Sequence, residues 1–260
     1  MNEFETIRHV LISTTGFDIG YYKPDHIKRL LSTIMARAGA KNFQEYARIL
    51  RQKPGQVQVF KDHITINVSE FFRDKTAFDL LRDKMVPMLL ASRNRLDIWS
   101  AGCSTGEEAY SLSILLEERR RKSKPFDYSI LGTDIDEDAI GRAKLGLYAK
   151  SALKNVNPIQ LQEHFRKTNQ GFLIKPALRL RIIFEKFDLL KDVSKRKFNL
   201  ILCRNVAIYF IEKYKEKVYA SISKVLLPDG ILFLGNSERL FEPGKFGLEK
   251  LGSGFYRKLN

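Results

Sequence analysis

The stretch at 96–113, LDIWSAGCSTGEEAYSLS, constrains this chain more than any other. It opens with Ile98, Trp99 and Ala101, a short apolar run with the alternation of a buried strand. Gly102 and Gly106 then interrupt it. The small residues Cys103, Ser104 and Thr105 between them let the backbone turn tightly and leave room for a ligand. Thr105 is placed to cap a following helix, and Glu107 and Glu108 stand in its first turn, where the dipole favours acids. Ala109, Leu112, Leu115 and Leu116 continue at helical spacing. Strand, glycine turn and helix in this order build a pocket at the carboxyl ends of parallel strands.

The residues of the turn limit what that pocket takes. A dinucleotide fingerprint needs G-x-G-x-x-G, and a phosphate loop needs Gly-Lys followed by Ser or Thr; this turn has neither. Two carboxylates at the loop exit repel phosphate and suit a ligand with a cationic end. S-adenosylmethionine carries a sulphonium and an ammonium and no phosphate, and it fits better than a nucleotide. The competing reading is a turn in some other α/β enzyme whose acids only cap the helix.

The chain has 260 residues, 44% of them hydrophobic, enough for one large domain or a medium one beside a small one. No apolar run reaches membrane-spanning length, and the N-terminus lacks a signal-peptide pattern. Cys103 and Cys203 lack metal-ligand spacing, so a reducing, cytoplasmic location is expected. The net charge of +15 calls for an anionic partner: nucleic acid, an acidic protein surface or anionic lipid. No concentrated basic run interleaved with aromatics occurs, so nucleic acid is not favoured.

Before the glycine turn the chain reads as helical. Residues 25–38 carry Ile27, Leu30, Leu31, Ile34 and Met35 on one face, with Lys28, Arg29 and Arg37 off it, and Gly39 as the stop. Asn42 opens a second helix with Glu45 in a capping-box pattern, burying Phe43, Tyr46, Ala47 and Leu50 and exposing Arg48, Arg51 and Lys53. Pro54 and Gly55 read as a stop, and a third short helix runs to about His63. At 65–74, TINVSEFFRD reads as a linker helix capped by Ser69 and holding Phe71, Phe72 and Phe78.

After the turn, 128–133 reads as a second strand ending in Asp134, an acid suited to the hydroxyls of a ribose, and Asp136 caps the next helix. Residues 147–170 read as polar and partly helical, 178–187 as strand, 198–203 as a fully buried strand followed by Arg204 and Asn205. A helix at 218–227 is stopped by Pro228, Asp229 and Gly230, and 231–235 is another strand. Two short runs, 246–250 and 254–258, suit an antiparallel pair at the sheet edge. The alternation predicts an α/β fold: a Rossmann-like, mainly parallel seven-stranded sheet with helices on both faces, preceded by a small all-helical domain.

Taken together, INVSEFFRD, IWSAGCSTGEEAYS, TDIDEDAI, FDLL and LCRNVAIYF, in this order, resemble the bacterial chemotaxis receptor methyltransferases of the CheR family. These are S-adenosylmethionine-dependent protein-glutamate O-methyltransferases, and the likeness covers nearly the whole chain. It implies a helical, receptor-docking domain at 1–66, a linker helix at 67–95, and a Rossmann-like methyltransferase domain at 96–260 with a small insertion near 160–182. It implies that Asn67, Ser69 and Arg73 contact the cofactor, with Arg73 at its carboxylate; that Glu107 lies near its ammonium; and that Asp134 holds the ribose. By the same resemblance Asp188 and Leu189 flank the adenine, Arg204 and Asn205 complete the site at the methionine part, and Tyr209 stands near the transferred methyl. Arg73 and Tyr209 are the implied catalytic pair, acting by position. Ser69 stands where Thr is frequent, and Asp188 where other members have Asn. The region around 168–180 is short for the receptor-tail-binding loop of some members.

The chemistry implied is attack by a glutamate carboxylate on the sulphonium methyl. Such a carboxylate has a pKa of about 4.3 and needs no general base. The acceptors would be acidic helical receptor segments, steered by Lys28, Arg29, Arg37, Arg48 and Arg51. No metal and no membrane insertion are expected, and the protein is expected to be a monomer. A nucleic-acid methyltransferase is the rival suggested by charge. It lacks support because no Asn/Asp-Pro-Pro-aromatic tetrad follows 198–203 and no Pro-Cys pair is present. A cofactor-binding module without turnover is the other rival.

Overall fold

The computed structural model describes residues 3–64, 69–235 and 238–260, and the chain divides into two units. Asn67, expected to contact the cofactor, lies outside the described residues.

The first unit comprises Met1–Asn67 together with Tyr209–Lys215. Its helices are α1 (Glu3–Thr15), α2 (Pro24–Ala38), α3 (Phe43–Gln52) and α4 (Pro54–Ile64). The apolar stripe of α2 is buried as its spacing predicts, with Ile27, Leu31 and Ile34 fully inside. Gly39 ends the helix in the left-handed region. Asn42 accepts the Glu45 N–H, but the Glu45 carboxylate accepts from Lys41, one residue before the expected box partner. Pro54 does not end a helix there; it opens α4, because its fixed φ suits a first turn.

Besides residues 1–67, this unit takes in Tyr209–Lys215 as a returning strap. This returning strap is held by aromatics: Phe210 packs edge-on to Tyr22 at 5.1 Å, Tyr214 to Tyr21 at 4.6 Å, and Tyr209 lies 4.8 Å from the His26 ring. Backbone bonds from Lys23 to Tyr209 and from Ile211 to Tyr21 close it.

The second unit, Val68–Ile208 with Glu216–Asn260, holds the sheet. No helix covers Phe71 and Phe72, contrary to the expectation of a Ser69 cap. Phe72 and Asp74 take positive φ, and Asp74 caps α5 (Lys75–Leu80) instead. Phe71 is buried edge-on against Tyr148 and Phe165, and the Phe72 N–H donates to Ser111. After a π turn at Leu81–Met85 the chain continues as α6 (Val86–Leu90).

Then come β1 (Arg95–Ala101), α7 (Glu107–Arg120), β2 (Asp127–Asp134), α8 (Glu137–Leu145), β3 (Leu147–Tyr148), α9 (Pro158–His164), β4 (Phe165–Thr168), β5 (Gly171–Ile174), α10 (Pro176–Arg179) and β6 (Ile182–Lys186). The chain finishes with β7 (Phe198–Cys203), α11 (Glu212–Val225), β8 (Leu226–Leu234), β9 (Leu248–Gly252) and β10 (Phe255–Lys258). The seven-stranded sheet has the order β6-β2-β1-β7-β8-β10-β9, with β10 antiparallel to both its neighbours and the other pairs parallel.

Three local readings are corrected. The run at 178–187 splits, because Pro176 starts the short α10 and only Ile182–Lys186 pairs with β2. The region 147–170 is partly helical as expected, through α9, but it also contributes β3 and β4 to a small antiparallel sheet that was not expected, order β3-β5-β4. The helix expected at 218–227 is α11, ending at Val225; Leu226 already pairs with Phe198, and Pro228, Asp229 and Gly230 form an irregularity inside β8. The C-terminal pair is antiparallel as expected, and its second strand lies inside the first.

The core lies on the central strands. Leu200, Leu202, Ile231 and Phe233 are fully buried, Phe233 stacks on Phe255 at 4.1 Å, and Trp99 stacks on Phe198 at 5.2 Å while donating to Thr133. No helix among the described residues is long and apolar enough to cross a membrane.

Candidate active site

The strand order reverses at β1. From there the chain builds outward through β2 to β6, then returns to add β7 on the other side. The crevice between the carboxyl ends of β1 and β7 is therefore the switch point where open α/β sheets bind ligands. Two segments flank it, the glycine turn at 102–106 and the turn at 204–207.

The glycine turn is tied to β2. The N–H groups of Gly102 and Cys103 both donate to the Thr133 carbonyl at 2.8 Å. Gly102 has φ +80°, and a Cβ there would lie 2.2 Å from the Val206 side chain, so only glycine lets the two turns approach. Gly106, not Thr105, occupies the cap position of α7. The Thr105 hydroxyl serves the adjacent acid instead, donating to both oxygens of Glu107 at 2.8 and 2.7 Å.

Asp134 ends β2 as predicted and is already engaged: one oxygen accepts the Ser104 N–H at 2.8 Å, the other the Asp136 N–H at 3.0 Å. It locks the glycine turn to the start of α8, whose cap is Asp136, accepting from Asp138 and Ala139. Glu107 is only 4% exposed, and Ser69 also hydrogen-bonds it. Glu108 accepts the Ser100 hydroxyl at 2.7 Å and pairs with Arg204 at 3.5 Å. Burial raises the pKa of Glu107, Glu108 and Asp134 above the usual carboxylate range, against the opposing hydrogen bonds and, for Glu108, the charges of Arg204 and Arg73.

Arg204 is the counter-charge. Its guanidinium is buried, 3.6 Å from Asp74 and 3.5 Å from Glu108, and lies over the rings of Phe78 and Phe233 at 5.5 and 4.6 Å. Its Nε is buried and has no hydrogen-bond partner among the described residues. Arg73 is exposed and acts on Glu108 by charge. Asn205 takes φ +59° at the head of its turn. Asp188, past the end of β6, accepts the Leu190 N–H at 2.9 Å and pairs with Lys191 at 3.7 Å; Leu189 beside it is half-buried.

Ser69, Arg73, Glu107, Asp134, Asp188, Leu189, Arg204 and Asn205 thus all belong to the sheet unit, whereas Tyr209 belongs to the helical one. Cys103 and Cys203 are buried free thiols whose pKa burial pushes well up, which leaves no ready thiolate nucleophile at these positions. The sequence reading missed Glu238, 3% exposed, whose carboxylate accepts backbone N–H groups from Asn205, Val206, Ala207 and Gly235. The Ser-Glu pair after β8 carried no motif that would have singled it out.

A family model described as "CheR methyltransferase, SAM binding domain" matches residues 67–255, and one described as "CheR methyltransferase, all-alpha domain" matches residues 2–65. The chain is 36% identical to a chemotaxis protein methyltransferase of Listeria innocua over 244 residues, covering 94% of this chain and 92% of that one. It is 34% identical to chemotaxis protein methyltransferase 1 of Pseudomonas aeruginosa, covering 92% and 90%. Against the chemotaxis protein methyltransferase of Escherichia coli it is 30% identical, covering 90% and 83%.

Proposed function

The chain belongs to the CheR methyltransferase family, with S-adenosylmethionine as its cofactor, and we propose that it methylates glutamate side chains on the cytoplasmic helices of membrane chemoreceptors. The product is a glutamate methyl ester. The observation that carries the reading is the crevice at β1 and β7, ringed by the buried acids Glu107, Glu108 and Asp134 with Arg204 among them.

The donor set fits the cofactor. Burial makes it costly to keep these carboxylates charged, and a ligand bearing a sulphonium and an ammonium offsets that cost. The partner shell of Arg204, with Nε unmatched among the described residues, leaves a donor for the ligand's carboxylate. When bound, the cofactor supplies an electrophilic methyl group on a positively charged sulphur.

The remaining work is positional. Glu107, oriented by Thr105 and Ser69, meets the ammonium end. Asp134, fixed by two backbone donors, faces the ribose from the end of β2, and Asp188 and Leu189 lie beyond β6 for the adenine. Ser69, Arg73, Arg204 and Asn205, all of the sheet unit, complete the cofactor site, with Arg73 at the ligand's carboxylate. That acceptor is already ionised at neutral pH, with a pKa of about 4.3, so no proton is removed. Orientation of two bound reactants contributes up to roughly 7–11 kcal/mol. Lys28, Arg29, Arg37, Arg48 and Arg51 are all exposed on α2 and α3 and form the docking face for the acidic receptor. The protein works as a monomer, and its placement in the cytoplasm is supported by its two free, buried thiols.

Incubation with cofactor labelled on the methyl group, offering receptor cytoplasmic fragments and nucleic acid as separate acceptors, tests this. The expected result is label on receptor glutamates that mild base releases as methanol. Base-stable label, or label on nucleic acid, would overturn it.

A further inference from the structure

We propose that Glu238 is a positioning residue for the methyl-transfer site, holding the 204–207 turn through its backbone. The inference rests on the reading of Arg204 and Asn205 as cofactor contacts.

Among the described residues, one buried carboxylate gathers four N–H donors. Oε2 accepts from Asn205 at 2.5 Å and Gly235 at 3.1 Å; Oε1 accepts from Val206 at 3.1 Å and Ala207 at 2.8 Å. Three consecutive N–H groups converge on an anion only when the backbone forms a concave nest, which a left-handed residue allows. Asn205, at φ +59°, is that residue, and Asn tolerates the conformation better than most side chains. The carboxylate needs space as well as donors. A Cβ on Gly235 would lie 2.7 Å from Oε2, so glycine at the end of β8 admits the side chain.

The consequence reaches both flanks of the crevice. Immediately before the nest, the chain presents the Arg204 guanidinium to Glu108 and Asp74. Within it, Val206 meets the glycine turn at Gly102. Glu238 itself points its carboxylate at backbone, so it acts on the ligand through the turn. Without it, three adjacent N–H groups lose their acceptor, and the left-handed step at Asn205 loses its reason.

The test replaces Glu238 with Gln, which keeps size but turns one acceptor oxygen into a donor facing two N–H groups. The expected result is a Kd for S-adenosylhomocysteine, and a KM for S-adenosylmethionine, about tenfold higher, with the KM for the receptor acceptor within about twofold of wild type. Glu238→Asp, which keeps the charge and shortens the reach, gives an intermediate loss and serves if the Gln variant does not fold. Leu248→Ala, a buried change in β9, is the control: it lowers Tm and leaves cofactor affinity intact. A folded Glu238 variant that binds S-adenosylhomocysteine like wild type overturns the proposal. So does an equal loss in Leu248→Ala, which would tie affinity to stability alone. A wild-type protein that binds no S-adenosylhomocysteine overturns the cofactor reading instead, and is recognised before any variant is compared.

Discussion

At the scale of single residues, Glu107 sets function against stability. Burial raises its pKa, so the folded chain binds that proton more tightly than the unfolded chain does. The stability it contributes is present below the unfolded pKa of about 4.3 and is lost as pH rises through the folded value. Glu107→Gln removes that loss. Thermal melts at pH 7 are expected to place the variant at or above wild type, with the two converging near about pH 4. Calorimetry at pH 7 is expected to show S-adenosylhomocysteine affinity lowered by about tenfold or more, the worth of a hydrogen bond to a charged group. Gly102→Ala acts in the opposite sense. Its positive φ and the Val206 side chain in its way predict a loss of about 1–3 kcal/mol in denaturant unfolding, together with weaker cofactor binding. The places of Glu107 after the glycine turn and of Asp134 at the end of β2 were legible in the sequence, while Arg204 was singled out only by the family resemblance. Glu238 was not, since its partners are main-chain N–H groups of a turn more than thirty positions earlier, and no side-chain pattern records them.

At the scale of elements, the sheet was readable and its margins were not. Strands such as Phe198–Cys203 announce themselves by continuous apolar burial, and the glycine turn by its breakers. The short α10 and the Ser69 segment were misread because one proline and one aspartate, Pro176 and Asp74, set the local backbone. The strap Tyr209–Lys215 shows a different limit. Its aromatic residues follow β7 directly and look like part of the sheet unit, yet they pack against Tyr21, Tyr22 and His26 far back in the chain. Phe210, 5% exposed, anchors it. Phe210→Ala is expected to destabilise the helical unit by about 3 kcal/mol, the lower end for losing a buried aromatic. Amide hydrogen exchange in α2 is expected to speed up, while the protection of β1 and β7 stays as in wild type. Unchanged exchange in α2 would show that the strap adds nothing to that unit.

At the scale of the whole molecule, charge and chemistry divide the labour. The excess of basic residues suits an acidic acceptor, and the buried acids of the crevice suit a cationic cofactor. Reversing Lys28, Arg29 and Arg48 together is expected to raise the receptor KM, flatten its salt dependence and leave S-adenosylhomocysteine affinity unchanged. Because the acceptor carboxylate needs no base, the rate is expected to vary little between about pH 6 and 8 and to fall in more acidic solution, where the raised pKa values of Glu107 and Glu108 let them take up protons. A steep rise centred near neutrality would point to a proton transfer that this arrangement does not include. The most direct measurement is a crystal structure of the protein soaked with S-adenosylhomocysteine. The ligand is expected between the glycine turn and the 204–207 turn, its amino group on Glu107 and its ribose on Asp134. Density for the ligand elsewhere, with both carboxylates bare, would contradict the account.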